Sequence, residues 1–164
     1  MVSDAIMVTA ASAGIASALV AGVFLAFSDF IMRSLSAAEP AAGIEAMQQI
    51  NRKVYRSLFL VLLMGLAPVS LALAIAAFWV GYVPAAVWLS TAAGVYLFGV
   101  IAVTMAGNVP MNKRLDQMRL QDTEAGTYWR EYGLRWTRLN HLRTLASALA
   151  AAMFLAGGAS VATA

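Results

Sequence analysis

Four long apolar segments, separated by short polar stretches, leave this chain few ways to fold. They cover about residues 6–32, 58–80, 84–107 and 139–162. Each is as long as the roughly 17–25 residues a helix needs to cross the hydrocarbon core of a bilayer. The first carries no charge before Asp29. A water-soluble domain is typically about 25% charged. Here the figure is 12%, with 62% hydrophobic residues, so too little polar sequence remains to shield four such helices from water. A mean hydropathy of +0.76 agrees. The first segment does not read as a cleaved leader. Its N-terminal flank bears Asp4 and no Lys or Arg, and it exceeds the usual apolar core of about 7–15 residues. The expected fold is all-α, an integral membrane four-helix bundle formed by residues 1–164 as one domain.

Charge placement orients the bundle. All eleven basic residues fall in or beside two loops. Arg33, Arg52, Lys53 and Arg56 follow the first segment; Lys113, Arg114, Arg119, Arg130, Arg135, Arg138 and Arg143 follow the third. Lys and Arg are retained on the cytoplasmic side. Both basic loops are therefore expected in the cytoplasm and both termini outside, in the inner (cell) membrane. The short turn at Gly81–Pro84 makes the second and third helices antiparallel, giving up-down-up-down order. The net charge of +3 is then a topological signal, and no nucleic-acid partner is implied. Small residues such as Gly14, Ala18, Gly94 and Gly99 fit close helix packing. Self-association into a homo-oligomer is left open.

Residue types exclude several chemistries. Without cysteine there is no disulfide, thiolate nucleophile or Cys-ligated metal. A single histidine, His141, excludes any two-histidine site within one chain.

The loops hold the polar residues that ask for an explanation. Residues 43–55 read as a short interfacial amphipathic helix, with Ile44, Met47, Ile50, Asn51 and Val54 on one face and Pro40 near its start. Asn51 is the polar exception on that face. The third segment ends in Asn108 and Asn112, four residues apart, with Pro110 between them as a kink or a helix stop. Trp129, Tyr132, Trp136 and Asn140 then recur at steps of three, four and four, an aromatic stripe ending in an amide. Asn140, Arg143 and Thr144 share a face, and His141 lies about 100° away. An arginine near the hydrocarbon is costly, and beside several amides it marks a candidate site.

The strings GVFLAFS at 22–28, MQQIN at 47–51, TMAGNVPMN at 104–112 and WTRLNHLRT at 136–144 together resemble the anthrone oxygenase family. The resemblance runs from about residue 14 to 152. It implies oxidation of an anthrone to an anthraquinone with O2 and no cofactor. An anthrone's CH2 is acidified by its ketone, and the resulting anion can pass an electron to O2. Under that implication His141 is the base, since its ordinary pKa of about 6.5 suits proton transfer. Arg143 and the amides of Asn51, Asn108, Asn112 and Asn140 would hold the oxyanion. Trp129, Tyr132 and Trp136 would face the flat ring. Two other readings use the same residues. In one, the protein binds or transports a lipid, quinone or small polar ligand without chemistry. In the other, the amides and the arginine only tie helix ends together. Haem is a minor option, with His141 as its one axial ligand.

Overall fold

The computed structural model describes residues 1–120 and 122–162, and among these every long element is helical. The first segment is one helical run: α1 (Val2–Ala26), a π-helical turn (Phe27–Ile31) and α2 (Met32–Ala37). Next come α3 (Pro40–Lys53), a 3-10 turn (Val54–Arg56) and α4 (Leu58–Val80). The third segment is α5 (Val83–Tyr96), two π-helical stretches (Leu97–Ala102 and Thr104–Asn108) and α6 (Val109–Asp116). The last is α7 (Thr123–Ala162), 40 residues without a break.

Local sequence explains the boundaries. Pro40 opens α3 at a position where its missing N–H costs nothing. The Ser57 hydroxyl accepts the Leu60 amide N–H at 3.2 Å and caps α4. Gly81, with φ of 73°, ends that helix in the left-handed conformation that glycine adopts without a Cβ penalty. No proline lies within α7, so nothing stops it at the polar stretch around Asn140.

Four helices are long and apolar enough to cross a membrane among the described residues: Val2–Ala37, Leu58–Trp79, Val83–Asp116 and Glu124–Val161. The first, third and fourth extend well past the apolar segments themselves. The third was expected to kink or stop at Pro110. It does not stop there: the π stretch at Thr104–Asn108 runs directly into α6, with Pro110 in its first turn, where a missing N–H is tolerated. At 1.5 Å per residue α7 is about 60 Å long, roughly twice the hydrocarbon thickness. Half of it therefore projects as scaffold for the polar end.

The helices close a ring in the order α1, α7, α5, α4, each packed on the next. Contacts are close and mostly apolar, around Val20, Leu89, Val100, Ala150 and Phe154. Ser17 donates its hydroxyl to the Ser147 carbonyl at 2.9 Å, and Tyr96 donates to the Leu63 carbonyl at 2.9 Å. Gly14 lies against Leu155 and Ala151, whereas Ala18 faces outward, so only half of that small pair is used. Gly99 meets α7 directly: a Cβ built there would lie 2.6 Å from the Ala146 Cβ.

A second apolar core fills the end that bears the basic loops. Met32, Ile44, Met47, Leu115, Trp129 and Tyr132 are all buried there. The face of α3 read as membrane-seeking is instead turned onto protein, with Ile44 and Met47 each 1% exposed. Gln48 fixes this docking by donating its amide to the Leu115 and Met118 carbonyls at 2.9 and 3.1 Å, where α6 ends. Arg52 reaches Asp116 at 2.7 Å across the same junction.

Gly99→Ala is expected to cost about 1–3 kcal/mol, because the Ala146 Cβ cannot swing aside. Gly94→Ala, with open space at the Cβ position, is expected to be neutral or stabilising by up to about 1 kcal/mol. Thermal melts of the two variants in detergent compare the effects directly.

Candidate functional site

Where the two cores meet, the bundle forms a half-open cavity of about 460 Å³. Its walls come from α1, α3 and the turn after it, the start of α4, the third helical run and α7. Most of the wall is apolar or aromatic: Phe24, Phe27, Phe59, Leu63 and Trp136. Arg143 is the one cation deep in it, 5% exposed.

Arg143 is held by neutral groups. Its NH2 donates to the Asn140 Oδ1 at 2.6 Å and its NH1 to the Thr104 Oγ1 at 3.3 Å. Its Nε has no acceptor. A guanidinium carries five N–H donors, so two acceptors leave it under-satisfied. Among the described residues no carboxylate forms an ion pair with it; the four ion pairs present are at the surface and involve other residues. The plane lies 4.2 Å from the Phe24 ring centroid and 5.3 Å from that of Trp136. Such contacts are worth about 0.5–2 kcal/mol each and offset only part of the cost of dehydrating the charge.

Asn140 anchors this arginine to α1. Its amide nitrogen donates to the Phe24 carbonyl at 2.5 Å and to the Ser28 Oγ at 2.6 Å. Ser28 sits in the π-helical turn Phe27–Ile31, and Thr104 begins another. π-helical turns of this kind recur at functional sites, where the widened backbone admits an inserted side chain. Both widened turns here face the Asn140–Arg143 pair.

Asn112 lines the opposite wall. Its Oδ1 accepts the Tyr132 hydroxyl and the Trp136 Nε1–H, each at 2.9 Å. Those bonds hold the Trp136 ring, whose centroid lies 5.8 Å from that of Phe27. Behind it Tyr132 and Trp129 continue the stack, with centroids at 6.2 and 5.6 Å. Asn51 enters from α3, 8% exposed, and its Nδ2 has no acceptor.

Of the nine residues expected at a site, the structure brings Asn51, Asn112, Trp136 and Arg143 to the cavity wall. Asn140 and Tyr132 support that wall from one step behind, and Trp129 from two. Asn108 is buried and donates to the Trp136 carbonyl at 3.4 Å, away from the lining. His141 is exposed on the outer side of α7 and does not line the cavity. The 100° step that turns Asn140 inward turns His141 outward. The expected base is therefore not at this site. Lys53, Tyr55 and Phe59 at the cavity, and Thr104 beside Arg143, were not anticipated. Lys53 and Tyr55 fall inside the amphipathic stretch and Phe59 soon after it, but nothing in their spacing marks them.

A family model described as anthrone oxygenase matches residues 55–153, more than half of the chain. The chain belongs to the anthrone oxygenase family. The match spans α4 to most of α7 and so includes Thr104, Asn112, Trp136, Asn140 and Arg143. The strings at 22–28 and 47–51, which bring Phe24, Phe27 and Asn51 to the cavity, lie outside it. No curated protein and no solved structure matches the chain. Among the described residues no group of three His, Cys, Asp or Glu side chains is placed to hold a metal ion.

Asn140→Ala removes one of the two acceptors of Arg143 and both bonds to the first helical run, and is expected to destabilise by about 2–4 kcal/mol. His141→Ala, at an outward position, is expected to stay within about 0.5 kcal/mol of the parent. Unfolding of both variants in the same detergent checks the contrast.

Proposed function

We propose that this protein is a membrane oxygenase that oxidises a flat, hydrophobic aromatic of anthrone or quinone-like type with O2. The observation that carries the reading is a buried, unpaired guanidinium on the wall of an aromatic cavity, in a chain of the anthrone oxygenase family. A volume of about 460 Å³ suits a tricyclic ligand and lies within the range of roughly 300–1,000 Å³ usual for small-molecule sites.

The overall reaction is CH2 plus O2 giving C=O plus H2O at the carbon opposite the ketone. Loss of a proton from the CH2 yields an enolate whose charge rests largely on the ketone oxygen. That anion gives one electron to O2, the carbon radical and superoxide combine to a peroxide anion, which takes up a proton in place of the one released to give a hydroperoxide, and loss of water leaves the second ketone. Arg143 is the group placed to hold the enolate oxygen, with Asn140 and Thr104 fixing its plane. Trp136 and Phe27 would fix the ring plane. The helices are proposed to run up-down-up-down in the inner (cell) membrane, with the termini outside and the basic loops in the cytoplasm.

Among the described residues the cavity lining holds Arg143 and Lys53 but no carboxylate or imidazole, which favours a second reading, in which a hydrophobic anion is bound or carried without turnover. Protein in nanodiscs, given an anthrone and an oxygen electrode, separates the two. The oxygenase reading predicts stoichiometric O2 uptake and anthraquinone absorbance well above the protein-free rate. Arg143→Gln is expected to lower kcat/KM about 10²–10³-fold. Binding without O2 uptake above background selects the alternative.

Because the chain has no cysteine, single cysteines report topology cleanly. Ser3→Cys and Val83→Cys are expected to react with an impermeant maleimide on intact spheroplasts, and Ala38→Cys and Gln117→Cys only after permeabilisation. The reverse pattern overturns the orientation.

A further inference from the structure

We propose that the cavity takes its ligand as an oxyanion, the ionised form of an acidic planar aromatic such as a phenol, enol or hydroxyquinone. The fixed positive charge of Arg143, rather than a proton-accepting side chain of the protein, is what favours that ionisation. The inference rests on the cavity being the substrate site and adds which protonation state enters it and why.

Arg143 is 5% exposed and its two acceptors, Asn140 and Thr104, are both neutral. A buried cation without a counter-charge is costly, and the several kcal/mol of dehydration are regained best by an anion. The wall supplies none. Its titratable members are Lys53 and Tyr55, on α3 and the turn after it, besides Arg143 itself. The wall residues from α1, α4 and the third helical run carry no titratable group. On α7 the near neighbour is Tyr132, whose hydroxyl donates to Asn112. His141 points away. The negative charge must therefore arrive with the ligand.

A neutral phenol offers Arg143 an ordinary hydrogen bond, whereas a phenolate offers a charge-assisted one at a guanidinium buried away from bulk water. Differential binding of the two forms is by linkage a lowered pKa, a larger acid dissociation constant, of the bound ligand: the proton leaves to bulk water at a lower pH than in free solution. Lys53 adds a second positive charge to the lining in the same sense. The sign follows for turnover. A substrate that reacts as its anion is oxidised faster as pH rises toward its bound pKa, with a plateau above it.

The test uses 2-hydroxyanthraquinone, which has no CH2 left to oxidise and whose phenol and phenolate absorb at different wavelengths. It is titrated with pH in phosphatidylcholine nanodiscs with and without the protein. The expected result is an apparent pKa at least one unit lower with the protein than in empty discs, a shift lost in Arg143→Gln. A measurement on the unsubstituted protein guards against a variant that fails to fold. Above the bound pKa, the hydroxy compound is expected to bind at least tenfold tighter than 2-methoxyanthraquinone, which cannot ionise. An unchanged or raised pKa, equal affinity for the ether, or no binding of either compound overturns the inference. Anthrone turnover with a neutral bound probe would overturn it and leave the oxygenase reading standing. A lowered pKa without O2 uptake would do the opposite.

Discussion

The polar end of this bundle is organised around one buried positive charge. Arg143 sits where α7 leaves the apolar core, and the side chains around it serve either to hold its plane or to exclude water from it. Asn140, one turn earlier, receives its NH2 and ties α7 to α1 through Phe24 and Ser28. Thr104 takes its NH1 from the third helical run. Phe24 and Trp136 cover its faces. A charge held this firmly but not neutralised is a poor choice for stability alone, since an apolar residue of similar volume often does as well in a buried position. It makes sense as a preorganised receptor for negative charge, for which the reorganisation cost is met on folding.

That arrangement depends on helices that do not stop where hydrophobicity falls. A bundle trimmed to the membrane thickness would end near Arg143 and leave it in the headgroups. Instead α7 runs on for another half of its length, and α2, α3 and α6 pack around it to form a second core. The cavity lies at the seam of the two cores. The π-helical turns at Phe27–Ile31 and Thr104–Asn108 lie at the same seam, where an amide and a hydroxyl on neighbouring helices must meet the Asn140–Arg143 pair. Gln48 and the Arg52–Asp116 contact keep α3 pressed over the site, so that Asn51 becomes part of its wall.

Much of this was legible in residue order. Four apolar segments gave four long helices, and the steps from Trp129 to Asn140 gave a buried stripe on one face of α7. The family assignment read from four strings is met by the match at 55–153, though two of those strings lie outside it. What could not be read was depth. Periodicity places Trp129 and Tyr132 on the same face as Trp136 but does not say that only the last reaches the cavity. It puts His141 near Asn140 in sequence while the helix turns it outward. The π-helical turns and the passage of the helix through Pro110 have no simple sequence signal, because they answer to contacts made by α7. Phe24 and Thr104 look like ordinary span residues until Arg143 is placed beside them.

The central claim is that Arg143 is the cation that meets a ligand's negative oxygen. Nitrogen-15 NMR of the arginine guanidinium groups in nanodiscs reads this directly, with Arg143 assigned by its loss in Arg143→Gln. On adding 2-hydroxyanthraquinone above its bound pKa, the Arg143 resonances are expected to move and sharpen, while those of the eight other arginines stay put and 2-methoxyanthraquinone has no such effect. If the Arg143 signals are indifferent to the phenolate, or respond equally to the ether, the charge is structural and the account fails.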